Sequence, residues 1–174
     1  MWVANGQVHA KVHGVGVRLR SFWEGRSVVP VRRDNQPLSG RPVLAAVSFV
    51  GDEPVSHARH AARDFVSELQ AVHGIPVSER AMGSVQLVVS ELVTNARKYA
   101  PGPCLLNLEL ADGAVEIGVW DTESTLPVPQ SPDPGRVGQH GLEIVIALSR
   151  SFEMHRDPVG KRIKATVPLT DNPT

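Results

Sequence analysis

The sequence predicts an α+β domain, a two-layer α/β sandwich in which a mixed, mostly antiparallel sheet is covered on one face by helices. Three observations predict it. Two segments with helical apolar spacing follow one another, at 54–74 and 78–99. Two short apolar runs then meet at Ala111-Asp112-Gly113, the composition of a tight hairpin turn. A third helical segment and two more strand-like runs complete the order β–α–α–β–β–loop–α–β–β, and that order folds as helices laid on a sheet.

Each element has its own local reason. "VLAAVSFVG" (43–51) is a continuous apolar run and reads as the first strand of the body. In the next segment Val55, Ala58, Ala62, Phe65, Val66 and Leu69 recur with helical spacing. Pro54 suits a first helical turn there, and Gly74 suits the stop. Ser78 caps the second helix, which runs to about Tyr99 and is ended by Pro101-Gly102-Pro103. At about 100° per residue, Val85, Val88, Val89, Leu92, Ala96 and Tyr99 share the face that packs on the sheet. "CLLNLELADGAVEIGVWD" (104–121) is the hairpin, and "TESTLPVPQSPDPGRVGQH" (122–140), with its prolines, is a loop. "GLEIVIALSRSFEMH" (141–155) is helical before it turns into a strand, "DPVG" (157–160) turns, and "KRIKATVPL" (161–169) is the last strand.

The domain expected to hold all of this is 43–170, with a short C-terminal tail at 171–174. Residues 1–42 have no sustained period and many Gly and Pro, which predicts a flexible basic tail with a short strand near Val12–Leu19. That segment carries seven Lys/Arg against two Asp/Glu, a net of +5, and the remainder carries eleven against sixteen, a net of −5. A slightly acidic body argues against direct nucleic-acid binding, which needs concentrated positive charge. The lone Cys104 excludes an intrachain disulfide, fits a reducing compartment and reads as a small buried or half-buried side chain. No run approaches the roughly 18–20 apolar residues of a membrane span, and Lys11, Arg18 and Arg20 interrupt any signal-peptide core. A cytoplasmic protein without a membrane contact is the expectation.

The stretch "SELVTNARKYA" (90–100) carries the chemistry. Glu91 and Asn95 are four residues apart on a helix, so their Cβ atoms stand about 6 Å from each other. They lie together on the flank of the apolar stripe, with Lys98 beyond them. A carboxamide oxygen suits a hard cation such as Mg²⁺, which takes few protein oxygens and completes its shell with phosphates and water. A carboxylate one turn away is placed to take a proton from a hydroxyl. Phosphoryl transfer is mostly positioning and charge neutralisation, so such a pair suffices. Asp121 ends a strand, where it accepts a hydrogen bond from an exocyclic amine such as that of adenine, or simply starts a turn. Trp120 is open to two places, the site wall or the core. Gly135, Gly138 and Gly141 lead into a helix, where exposed backbone N–H groups and the helix dipole suit phosphate oxygens.

Together these residues resemble the ATP-binding domain shared by histidine kinases, gyrase, the Hsp90 chaperones and MutL, the GHKL fold. Within it they are most similar to the bacterial anti-sigma-factor serine/threonine kinases, over about residues 43–169. "SELVTNARKYA" looks like the family's N-box, which implies Asn95 as Mg²⁺ ligand and Glu91 as general base. "VWDTES" stands where the adenine-binding Asp motif belongs, with Asp121 in place. "GQHGLEIV" resembles the second glycine box, with Gly138, His140, Gly141 and Leu142 near the phosphates, and "GKRIKATVPL" resembles the terminal strand. The resemblance implies ATP and Mg²⁺ as cofactors, a sigma factor or an antagonist protein as partner, and a homodimer as an arrangement common in that branch. Two departures stand out: Thr122-Glu123-Ser124-Thr125 replaces a glycine-rich segment, and Tyr99 stands where the branch usually has His. The altered segment keeps a second reading open, a catalytically inactive interaction module controlling a transcription regulator. His57 and His60 lie too close to the N-box for a phosphoacceptor hairpin and read as solvated, and Lys161 reads as structural.

Overall fold

The computed structural model describes residues 44–50, 53–100, 102–127, 140–158 and 160–171, and the backbone strands at 2–4, 7–12, 15–19 and 29–30. Strands β1 (Trp2–Ala4), β2 (Gln7–Val12) and β3 (Val15–Leu19) pair in order into an antiparallel sheet of their own. The strand expected near 12–19 is β3, preceded by two more. The two-residue β4 (Val29–Pro30) pairs instead with β5 (Leu44–Phe49) at the edge of the main sheet.

The body follows the expected order: β5, α1 (Val55–Ala71), α2 (Glu79–Tyr99), β6 (Cys104–Ala111), β7 (Ala114–Asp121), α3 (Gly141–Leu148), β8 (Ser151–Asp157) and β9 (Gly160–Pro168). The strand order is β4-β5-β6-β7-β9-β8. The sheet expected to be mixed and mostly antiparallel is antiparallel at every described pair. The reason is connectivity. Two helices in succession between β5 and β6 return the chain to the end it left, so those strands run oppositely. β7 and β8 run the same way, joined across α3, but β9 lies between them and pairs antiparallel with both.

Local chemistry explains the boundaries. Ser78 Oγ accepts the Ala81 N–H at 3.1 Å, capping α2. Gly74, at φ +64°, turns the chain after α1, and the Ile75 N–H reaches back to the Leu69 carbonyl at 2.9 Å. Asp112 and Gly113 both have positive φ, 48° and 70°, as a two-residue hairpin between right-twisted strands requires.

One apolar core fills the space between the helices and one face of the sheet. Val85, Val88, Val89, Leu92, Val93 and Ala96 of α2 meet Leu106 and Leu108 of β6, Val115, Ile117 and Val119 of β7, and Ile163, Ala165 and Val167 of β9. Tyr99 departs from the expected face: it is 56% exposed, with the Lys98 ammonium 5.0 Å from its ring centroid. At the end of α2 the buried Ala100 takes the place beside the sheet, and Val93 joins the stripe. Trp120 takes neither of its two expected places. It alternates away from Val119 and Asp121 onto the helix-free face, where its ring lies 5.6 Å from the Arg162 guanidinium. Cys104 is buried, and desolvation pushes its thiol up to about 11. His57 and His60 are exposed on α1. Among the described residues no helix is long and apolar enough to cross a membrane.

Candidate functional site

Two pairs of segments meet: the second half of α2 with the first turn of α3, and the end of β7 with the start of β9. Glu91 and Asn95 are half-buried on α2, one turn apart. α3 begins at Gly141, directly against Glu91. A Cβ added to Gly141 would lie 3.3 Å from Glu91 Cδ and overlap its Oε2. A glycine here therefore lets the backbone at the start of α3 touch the carboxylate. Residues 50 apart in sequence are thus brought together, and the Glu91 carboxylate sits at the positive end of a helix dipole.

The neighbouring residues of this corner are placed as follows. His140 immediately precedes α3, half-buried, and its carbonyl accepts the Ile144 N–H at 3.0 Å. Leu142 is buried beneath the helix. Lys98 is exposed and lies over Tyr99. Gly135 and Gly138 lie outside the described residues.

Asp121 ends β7. It is buried, and directly across the ladder stands Lys161 of β9. The Lys161 ammonium donates to Asp121 Oδ1 at 2.9 Å and to the Glu123 carbonyl at 3.2 Å. Side-chain exposures of 5% and 2% make this a buried ion pair. Lys161 is the residue that sequence reasoning left as structural. Its register against Asp121 is a property of the sheet order, because β9 must insert beside β7 before the two can meet. Gly160 makes that approach possible. Its φ is +113°, and a Cβ there would lie 2.9 Å from both Asp121 C and Thr122 Cα.

The glycine-poor segment after Asp121 is organised by side chains. Asp121 Oδ1 accepts the Glu123 N–H at 2.9 Å, and Glu123 Oε1 accepts the Thr125 N–H at 2.8 Å. These are two successive turns closed by carboxylates. The Thr125 N–H holds the Glu123 carboxyl below its ordinary range, so its charge is engaged by the backbone of its own turn. Thr122 packs on the turn after α2: a Cβ on Gly102 would come within 2.6 Å of Thr122 Oγ1.

The donor set fits Mg²⁺ held mainly by a ligand. Among the described residues no group of three or more His, Cys, Asp or Glu could enclose a metal ion. One carboxamide on α2 and a carboxylate beside it suit a hard cation whose other ligands are phosphate oxygens and water.

Residues 53–167 match the sequence pattern of the Histidine kinase-like ATPase domain. The sensor histidine kinase Hik2 of Thermosynechococcus vestitus is 30% identical over 132 residues, covering 72% of this chain and 34% of that protein. Among solved structures, the RsbU and RsbW domains of Rv1364c from Mycobacterium tuberculosis superpose with a TM-score of 0.50 at 20% identity, over 71% of this chain and 32% of that one. The chain spans about a third of the length of each of these relatives. With two thirds of its residues inside the matched pattern, the chain belongs to the histidine kinase-like ATPase domain family.

Proposed function

We propose that this chain is an ATP-binding regulator of the anti-sigma type, which uses Mg-ATP to phosphorylate Ser or Thr on a small antagonist protein. The observation that carries the reading is the meeting of Glu91 with Gly141 at the start of α3, with Asn95 one turn further along α2. Phosphate oxygens at the α3 N-terminus would face the side chain that takes the acceptor proton. Asn95 would hold Mg²⁺, which supplies charge neutralisation on the phosphates when bound. Glu91 accepts the hydroxyl proton of the incoming Ser or Thr, and its contact with Gly141 fixes where that acceptor sits. Asp121 offers a carboxylate to the exocyclic amine of adenine at the floor of the site. Gly135, Gly138, His140 and Leu142 belong to the phosphate-facing turn, and Lys98, exposed at the rim, lends positive charge.

The family and the structural neighbour's RsbW domain support an anti-sigma-like regulator, and a sigma factor or its antagonist is the partner class that follows. The net charge of −5 over residues 43–174 keeps nucleic acid out of the reading. One observation favours a second reading, an inactive interaction module: Asp121 is buried and already engaged by Lys161 and Glu123.

The deciding experiment is calorimetric titration of ATP with and without Mg²⁺, followed by transfer of labelled γ-phosphate to candidate antagonists. Mg-dependent ATP binding with transfer to Ser or Thr is expected. ATP binding without transfer to any antagonist would leave the interaction module, and no ATP binding at all would overturn the nucleotide reading.

A further inference from the structure

We infer that Lys161 is a specificity-determining positioning residue: its buried ammonium locks the Asp121 carboxylate so that a single oxygen, Oδ2, is presented to the amine of a nucleobase. The inference rests on the nucleotide reading above and deepens it, since it states how the base would be recognised.

The geometry is specific about the two oxygens. A carboxylate offers about four acceptor positions, two on each oxygen. Asp121 Oδ1 already receives two donors, the Lys161 ammonium at 2.9 Å and the Glu123 N–H at 2.9 Å. Both come from residues that are themselves held. Lys161 is in register with Asp121 on the adjacent strand and also donates to the Glu123 carbonyl, so ammonium, carboxylate and turn form one closed set. With Oδ1 filled, rotation of the carboxylate about its bond to Cβ would break two hydrogen bonds at once. The orientation of the whole carboxylate, Oδ2 included, is thereby fixed by the pair rather than by Asp121 alone.

Burial supplies the second part. Both side chains are nearly inaccessible, and removing one partner of a buried ion pair leaves an uncompensated charge that must rearrange or be neutralised. A surface lysine near the site would screen phosphates without distinguishing one base from another. Lys161 is withdrawn from solvent beneath the turn at 121–125, where its interaction is with the base-reading acid. Gly160 is the enabling feature, because only a residue without a side chain lets β9 approach the Asp121 backbone closely enough for Lys161 to reach.

The test is a thermodynamic cycle between protein and ligand. ATP and purine riboside triphosphate, which lacks only the 6-amine, are titrated by calorimetry into wild type and Lys161→Met. Wild type should prefer ATP by at least about tenfold, the scale of one hydrogen bond to a charged acceptor. In Lys161→Met the preference should collapse to less than about threefold through loss of ATP affinity, with the analogue bound nearly as before. A merely structural lysine would weaken both ligands alike and leave the ratio unchanged, which overturns the inference. Equal binding of both ligands by wild type would overturn base recognition through Asp121 while leaving ATP binding intact. No ATP binding by wild type would remove the nucleotide reading itself. Should Lys161→Met fail to fold, the wild-type ammonium resonance of Lys161 is followed by NMR. A shift with ATP and none with the analogue is expected, and equal shifts overturn the inference.

Discussion

Replacing Gly141 by Ala tests the arrangement at its tightest point. The added methyl would stand 3.3 Å from Glu91 Cδ and overlap Oε2. Relief is available without disturbing the fold, because the obstructing atom is the free end of a flexible side chain. The carboxylate must retreat by about 1 Å, a misplacement that costs a positioned catalytic group about 10²-fold in rate. Stability should move little or rise, since Gly141 opens α3 without a positive φ and Gly→Ala at a compatible position contributes about 0.4–1 kcal/mol. Under the proposed function the expected signature is a split: kcat for transfer to the antagonist falls about 10²-fold, while thermal unfolding is unchanged or slightly raised. Single-turnover transfer of labelled phosphate, with a thermal melt on the same preparation, reads both quantities. Transfer within about threefold of wild type, with the melt preserved, would refute the claim that the Glu91–Gly141 contact sets the geometry of the base.

Other substitutions separate the remaining roles. Glu91→Ala should abolish transfer while leaving ATP binding by calorimetry unchanged, whereas Asn95→Ala should weaken binding of Mg-ATP and spare that of metal-free ATP. Gly113→Ala places a side chain at φ 70° and should destabilise the domain by about 1–2 kcal/mol, read as a lower urea midpoint with an unchanged slope. Ser78→Ala removes the cap on the Ala81 N–H and should cost about 1 kcal/mol in the same assay. The Cys104 thiol, raised by burial from 9.0 to about 11, stays protonated in the fold over a range where the unfolded chain releases its proton. Its contribution to stability is therefore intact below pH 9 and falls as pH rises toward 11, which denaturant midpoints of wild type and Cys104→Ala would reveal by converging.

Much of the fold was legible because its signals are local. Pro54, Ser78, Gly74 and the Asp112-Gly113 pair each act on the backbone within a few residues, and each element edge falls beside them. The apolar stripe of α2 was readable from its period, apart from Tyr99 at the last turn, where the helix has reached the margin of the sheet and a neighbouring lysine offers its ring a partner. Glu91 and Asn95 were readable as a pair for the same reason, since helical spacing alone sets them one turn apart. The site's other contacts were not, because none of them is short-range in the chain.

By itself the sequence determined the element order, the turns, the core stripe and the carboxylate–carboxamide pair, all of them consequences of spacing and backbone chemistry over one or two turns. Only the tertiary structure decided that α3 begins against Glu91, that Trp120 faces away from the helices, and that Lys161 is the buried partner of Asp121. The last of these follows from inserting β9 between β7 and β8, which sets Lys161 opposite Asp121. Strand order sets which side chains meet across a ladder, and no local period along the chain encodes it.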